Sequence, residues 1–144
     1  MSFQELLAFG HIYEKKLLEH IEHDSFVIKE GLFSYYDIKV YHGDKVIRYE
    51  VKADRMAYRT GNIVIEYMSN SVPSGISITR AKYYAYFVVK PYDQYDLYII
   101  PVKHIKKLIN EQNYKRELRG GNNKLSCMFV FSLDTFEEFK THST

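Results

Sequence analysis

The stretch that decides the fold is Lys45-Val-Ile-Arg-Tyr-Glu-Val-Lys-Ala53. Alternate side chains of a strand share a face. Ile47, Tyr49, Val51 and Ala53 therefore form an apolar face suited to a core, while Val46, Arg48, Glu50 and Lys52 share the other. Glu50 and Lys52 project side by side, roughly 6–7 Å apart along the strand. Upstream, Leu32-Phe-Ser-Tyr-Tyr-Asp-Ile-Lys-Val-Tyr41 reads as a second strand, rich in aromatic and branched residues. His42-Gly43-Asp44 between them is a turn signal, so the two strands are expected to form a hairpin. A bulged or twisted register brings Asp37 to Glu50. Two converging carboxylates suit a hard cation such as Mg²⁺, with the Val51 carbonyl as a further oxygen ligand. Lys52 then stands where it can hold or deprotonate an attacking water. The plainer reading of Glu50 and Lys52 is an ion pair on solvated sheet surface, worth little energetically.

Outward from the hairpin, residues 3–22 carry helical spacing, with Phe3, Leu7, Gly10, Glu14, Leu17 and Ile21 on one stripe. Residues 26–30 read as a short strand or a connection. Downstream, 59–62 reads as a loop and 63–68 as a third strand that completes a meander. Residues 69–75 read as a loop, 76–82 as a short helix, and 83–89 and 96–100 as strands. An amphipathic helix follows over 102–112, with Val102, Ile105, Leu108 and Ile109 inward. A last strand over 125–131 and a short helix over 135–139 complete the chain. This order predicts one mixed α/β or α+β domain over 1–144, a mixed central sheet flanked by helices.

At 144 residues the chain fits a single core. Its 46% hydrophobic and 26% charged residues are those of an ordinary globular protein, and no apolar run approaches a membrane span. The start has no basic n-region, and Cys127, the sole cysteine, has no partner for an internal disulfide. An intracellular, unsecreted protein without membrane partners is the expectation. A net charge of +2 does not demand nucleic acid, but 103–107 and 115–124 are locally basic and suit either phosphates or solvent. His11, His20, His23, His42, His104 and His142 lack zinc-ligand spacing and are read as non-catalytic.

Asp37 followed by Glu50-Val51-Lys52 on adjacent strands resembles the signature of the PD-(D/E)XK nuclease superfamily, the restriction-endonuclease-like fold. Gly10-His11-Ile12-Tyr13-Glu14, a glycine four residues before an inward glutamate, is similar to the first helix of Holliday-junction resolvases. Glu50-Val51-Lys52-Ala53-Asp54 resembles an extended Glu-x-Lys-x-Asp form of small viral and phage members. Thr60–Tyr67 and Pro73–Tyr84 resemble the third strand and following helix of the same group, and this block is more specific than the triad. The resemblance covers roughly residues 5–100. Tyr36 stands where a proline often precedes the aspartate, and Lys82 where an acid is common.

The resemblance implies a Mg²⁺-dependent deoxyribonuclease, with Mn²⁺ able to substitute. Asp37 and Glu50 would bind metal and, with Lys52, form the catalytic set. Glu14 would reach the metal directly or through water. On its own the sequence also allows Glu14 to run out to solvent. Asp54 and Glu66 would stand behind the ligands, with Glu66 alternatively paired to Arg48 or Lys82. Ser74, Gly75 and Ser77 would offer backbone N–H groups to a DNA phosphate, or simply cap a helix. Thr79, Arg80 and Lys82 would contact the DNA backbone. The partner is DNA, and a chain this small is expected to form a homodimer so that two strands receive two sites. A Holliday-junction resolvase is the most specific version, and a restriction or homing endonuclease is another. The competing classes are a non-catalytic DNA-binding or assembly module on the same fold, and a small α/β protein with no nucleic acid.

Overall fold

The computed structural model describes residues 2–29, 35–120 and 126–144. The chain runs α1 (Phe3–Leu18), β1 (Ser25–Ile28), β2 (Ile38–His42), β3 (Lys45–Asp54), α2 (Ala57–Thr60), β4 (Asn62–Ser69) and β5 (Val72–Pro73). A 3-10 turn, Gly75–Ser77, leads to β6 (Tyr83–Val89), β7 (Tyr95–Pro101), α3 (Val102–Asn110), β8 (Arg116–Arg119) and β9 (Cys127–Ser132). A second 3-10 turn, Leu133–Phe139, precedes β10 (Lys140–Ser143). The class is mixed α+β. A six-stranded sheet of order β1-β2-β3-β6-β7-β10 is antiparallel except for the parallel pair β3–β6. A second, antiparallel sheet has the order β5-β4-β9-β8.

The expected hairpin of β2 and β3 forms with a regular ladder from Ile38–Tyr49 to His42–Lys45, and Asp37 lies just beyond its end, where its amide donates to the Tyr49 carbonyl. The first expected strand is shorter than predicted. Tyr35–Asp37 lie before it, and positions 32–34 are outside the described residues. The expected meander does not form. β6, Tyr-Tyr-Ala-Tyr-Phe-Val-Val, is buried from Tyr84 to Val89, and a strand apolar on both faces needs a covered, central place. It takes the slot beside β3, and β4 joins the second sheet instead.

Each face of the large sheet has its own core. Odd positions of β3 face α1, where Tyr13 and Leu17 pack with Ile38, Val40, Tyr49, Ala85, Phe87 and Leu97. On the other face Tyr84, Tyr86 and Val88 pack with Ile63, Ile65, Phe129 and Phe131 of the small sheet and with Val102 and Ile105 of α3. Leu108 and Ile109 pack against that core as predicted. α1 begins at Ser2, whose hydroxyl accepts from the Glu5 amide at 3.1 Å. It stops at Leu18 rather than 22, because Glu19 and His20 donate back three residues and tighten its last turn. Of the predicted stripe Glu14 and Leu17 point inward and Ile21 packs against the core, while Leu7 is exposed and Tyr13 joins the buried face.

The helix expected over 76–82 is a single 3-10 turn. Gly75 has φ +51° and the following Ile-Ser-Ile-Thr is rich in β-branched residues, which resist helix. β8 and β10 were not expected, and the loop before β4 contains the one-turn helix α2, closed by Gly61 at φ +71°. Among the described residues no helix is long and apolar enough to cross a membrane. Cys127 is buried.

Candidate active site

Glu50 lies on the face of β3 that looks toward the small sheet, and Asp37 stands beside the strand, near enough for its charge to act on Glu50. The Val51 amide donates to Asp37 Oδ2 at 2.7 Å, and the Asp37 amide donates to the Tyr49 carbonyl at 2.9 Å. β3 therefore holds the aspartate by both side chain and backbone. Glu50 Oε1 lies 3.3 Å from Thr79 Oγ1, which also lies 3.2 Å from the Tyr35 carbonyl and accepts from the Ala81 amide. Both carboxylates are recessed, with some surface left open. Burial raises the pKa of each. Glu50 is pushed up to about 8, by burial first and then by the charge of Asp37, against the pull of Lys52 and Thr79. For Asp37 the Val51 hydrogen bond and the charges of Lys52 and His11 work against burial. Two half-buried acids so placed must share either a proton or a cation.

The surroundings bear on which cation the pair could take. Lys52 is exposed on the same face, two residues beyond Glu50. Among the described residues no three His, Cys, Asp or Glu side chains converge to cage a metal. The side-chain donors at the pair are thus two carboxylates, both oxygen. That set fits Mg²⁺, which binds through one or two carboxylates and keeps several waters. Glu14 is buried and points inward, which removes the solvent-directed alternative. His11 Nδ1 sits 2.8 Å from Glu14 Oε1.

Glu66 and Tyr84 share a cavity of about 340 Å³ with Glu50 and Lys52. Tyr84 pairs with Glu50 across the parallel ladder, and burial, then the Glu50 charge, drives its hydroxyl well above the usual phenol range. Glu66 accepts from Ser74 Oγ at 3.0 Å, a different partner from the Arg48 or Lys82 expected. Asp54 lies apart from the pair. Its Oδ1 accepts from the amides of Met56 and Ala57, and its Oδ2 from the Tyr86 hydroxyl, so it fixes the turn into α2.

The expected DNA-binding set divides. Ser74 stands at the N-cap position of the 3-10 turn but its hydroxyl donates to Glu66 instead of capping, and the exposed Ser77 donates its hydroxyl to the Tyr67 carbonyl. Gly75 is there for space, since a Cβ would fall 2.2 Å from the Glu66 carbonyl oxygen. Thr79 is buried against Glu50, so it positions a carboxylate and cannot reach DNA. Arg80, over the Tyr35 ring, and Lys82 are exposed. Of the basic segment 115–124, the exposed strand β8 carries Arg116 and Arg119, and 121–124 lie outside the described residues. Sequence reading missed His11, Thr79 as a carboxylate partner, and Tyr84. Pairing β6 with β3 would have exposed Tyr84, because it then shares the Glu50 face.

No protein-family model, no curated protein and no solved structure matches this chain.

Proposed function

We propose that the protein is a divalent-metal-dependent DNA endonuclease on a PD-(D/E)XK-type core. The observation that carries this reading is the juxtaposition of Asp37 and Glu50, two recessed acids whose proton affinities burial raises, Glu50's further through the Asp37 charge, beside an exposed lysine. A purely structural sheet face has no reason to concentrate like charge where solvation is poor. Asp37 and Glu50, with the Val51 carbonyl, would hold Mg²⁺ or Mn²⁺. When bound, the metal supplies positive charge for the transition-state phosphate oxygens and acidifies a bound water. The chain's own residues do the rest. The Val51 amide fixes Asp37, and Thr79 steadies Glu50. Lys52 orients the attacking water and stabilises negative charge beside the scissile phosphate. Glu14, buried on α1 with His11 beside it, would have to act at a distance from the pair or through water.

The exposed cations Arg80, Lys82 and those of β8 support a polyanionic substrate. A Holliday-junction resolvase and a homodimer remain the specific forms to test. Cleavage of linear, nicked and four-way-junction DNA with Mg²⁺ or Mn²⁺, for wild type beside Glu50→Ala and Lys52→Ala, decides the matter. Activity lost in both variants and in chelator supports the reading. Unchanged DNA binding without any cleavage would replace it with a non-catalytic module on the same fold.

A further inference from the structure

A groove of about 550 Å³ adjoins the carboxylate cavity, and Lys52 and Glu66 line both. That volume lies in the range of small-ligand sites. Its floor is the second face of the small sheet. Ladder positions Val64–Val130, Glu66–Met128, Arg116–Val130 and Leu118–Met128 share that face, and all these residues line the groove. The opposite face, with Ile63, Ile65, Phe129 and Phe131, already fills a core. An antiparallel sheet with one face on the core ordinarily turns a polar face to water. Here four of those six ladder residues, Val64, Leu118, Met128 and Val130, are apolar. Leu6 from α1, Met56 after β3 and Leu118 from β8, each exposed, converge on the same groove from three elements.

The charges around it are complementary to a nucleic-acid strand. Lys52, Arg55 and Arg116 line the groove, and the Arg55 guanidinium lies 4.2 Å from the Phe9 ring centroid. Its acids are taken by protein donors: Asp54 by two amides and Tyr86, and Glu66 by Ser74. Apolar walls, cations and the polar ends of Thr60 and Asn62 are what an unpaired nucleotide needs: a surface for the base and charge for the phosphate. A paired base offers no free face to such a groove.

We infer that this groove binds unpaired bases of a DNA strand next to the scissile phosphate, making the substrate a DNA with a single-stranded segment. The inference deepens the hydrolase reading and rests on it for the position of the scissile bond. The test measures binding alone, in chelator. Fluorescence anisotropy compares a labelled oligodeoxythymidine with a blunt duplex of equal length, for wild type, Leu118→Glu, Met56→Glu and Leu118→Met. Leu118 and Met56 are exposed, so these variants keep the fold, and a melting curve checks it. The wild type is expected to bind the single strand at least about fivefold more tightly than the duplex. Each glutamate variant is expected to weaken single-strand binding about tenfold and leave duplex binding within about twofold, and Leu118→Met to retain wild-type behaviour. Equal affinity for the two oligonucleotides, no single-strand binding, or glutamate variants that match the wild type overturn it. If cleavage is intact but this discrimination is missing, only the groove assignment fails. If discrimination is present but no DNA is cut, only the hydrolase reading fails.

Discussion

The Val51 amide donates to Asp37 Oδ2 at 2.7 Å, so the strand that carries Glu50 also fixes the carboxylate facing it. The two acids are held in place before any cation arrives. Asp37→Asn and Glu50→Gln are each expected to weaken Mn²⁺ binding by roughly 10-fold or more and to reduce cleavage by about 100-fold or more. Lys52→Ala is expected to cut cleavage by roughly 10²–10⁴-fold with Mn²⁺ affinity nearly unchanged. Calorimetric titration with Mn²⁺ beside initial rates separates the two classes. Equal loss of metal affinity in all three would refute this division of labour.

Glu50 makes metal-free stability depend on pH with a defined sign. Its folded pKa, about 8, lies above the ordinary 4.5, so between those values the folded state binds more protons than the unfolded one. Its contribution is complete below about pH 4.5 and is lost as pH rises through 8, a span on the order of a few kcal/mol. Melting temperature without metal should therefore drop between pH 5.5 and 8.5 more in wild type than in Glu50→Gln. Mn²⁺ should restore stability at pH 8.5 in the wild type alone. Parallel pH profiles for the two proteins would contradict the assignment.

Thr79 offers Glu50 its hydroxyl, and that contact favours the ionised form. Thr79→Val keeps the shape and removes the contact. It is expected to cost about 1 kcal/mol of stability and to raise the Mn²⁺ concentration needed for half-maximal cleavage several-fold. The rate at saturating Mn²⁺ should change little, and Thr79→Ser should recover most of the metal response. A purely structural role would lower stability and leave the metal dependence where it was.

Gly75 and Gly43 provide an internal comparison. Both have positive φ, +51° and +58°, but a Cβ at Gly75 meets the Glu66 carbonyl oxygen at 2.2 Å whereas one at Gly43 meets nothing within 4 Å. Gly43→Ala should cost about 1 kcal/mol, for the backbone conformation alone. Gly75→Ala should cost about 3 kcal/mol or more and should also impair cleavage, because β4 must shift and Glu66 with it. Urea unfolding of both variants measures the difference. Equal costs would show that the close approach is relieved without strain.

What the sequence made legible followed from local pattern. The alternation in 45–53, the turn at Gly43-Asp44 and the spacing of Asp37 and Glu50 are short-range signals, and the hairpin they describe carries the site. The stripe of α1 holds at Glu14, Leu17 and Ile21 and is widened by Phe9 and Tyr13, which pack on the same core. Long-range pairing was not legible. Nothing local in Asn62–Ser69 says that its neighbour is Cys127–Ser132, nor that Tyr83–Val89 will take the place beside β3. Thr79 and Tyr84 depend on that pairing, and so were misread or overlooked. Residues 74–77 looked like a helix start because their serines and glycine suit a cap, yet in the fold those serines bond β4.

The parallel pairing of β3 with β6 also sets an order of events as the chain is made. Asp37 and Glu50 come together through a tight turn, which is fast and needs nothing further along the chain. Thr79 and Tyr84 join them only when a connection of nearly thirty residues closes, and parallel contacts of such separation form late. A chain emerging from the ribosome therefore carries an acid pair long before it carries the residues that steady it. The surroundings of Glu50 are complete only when β6 has docked, and assembly of the site becomes a readout of complete folding.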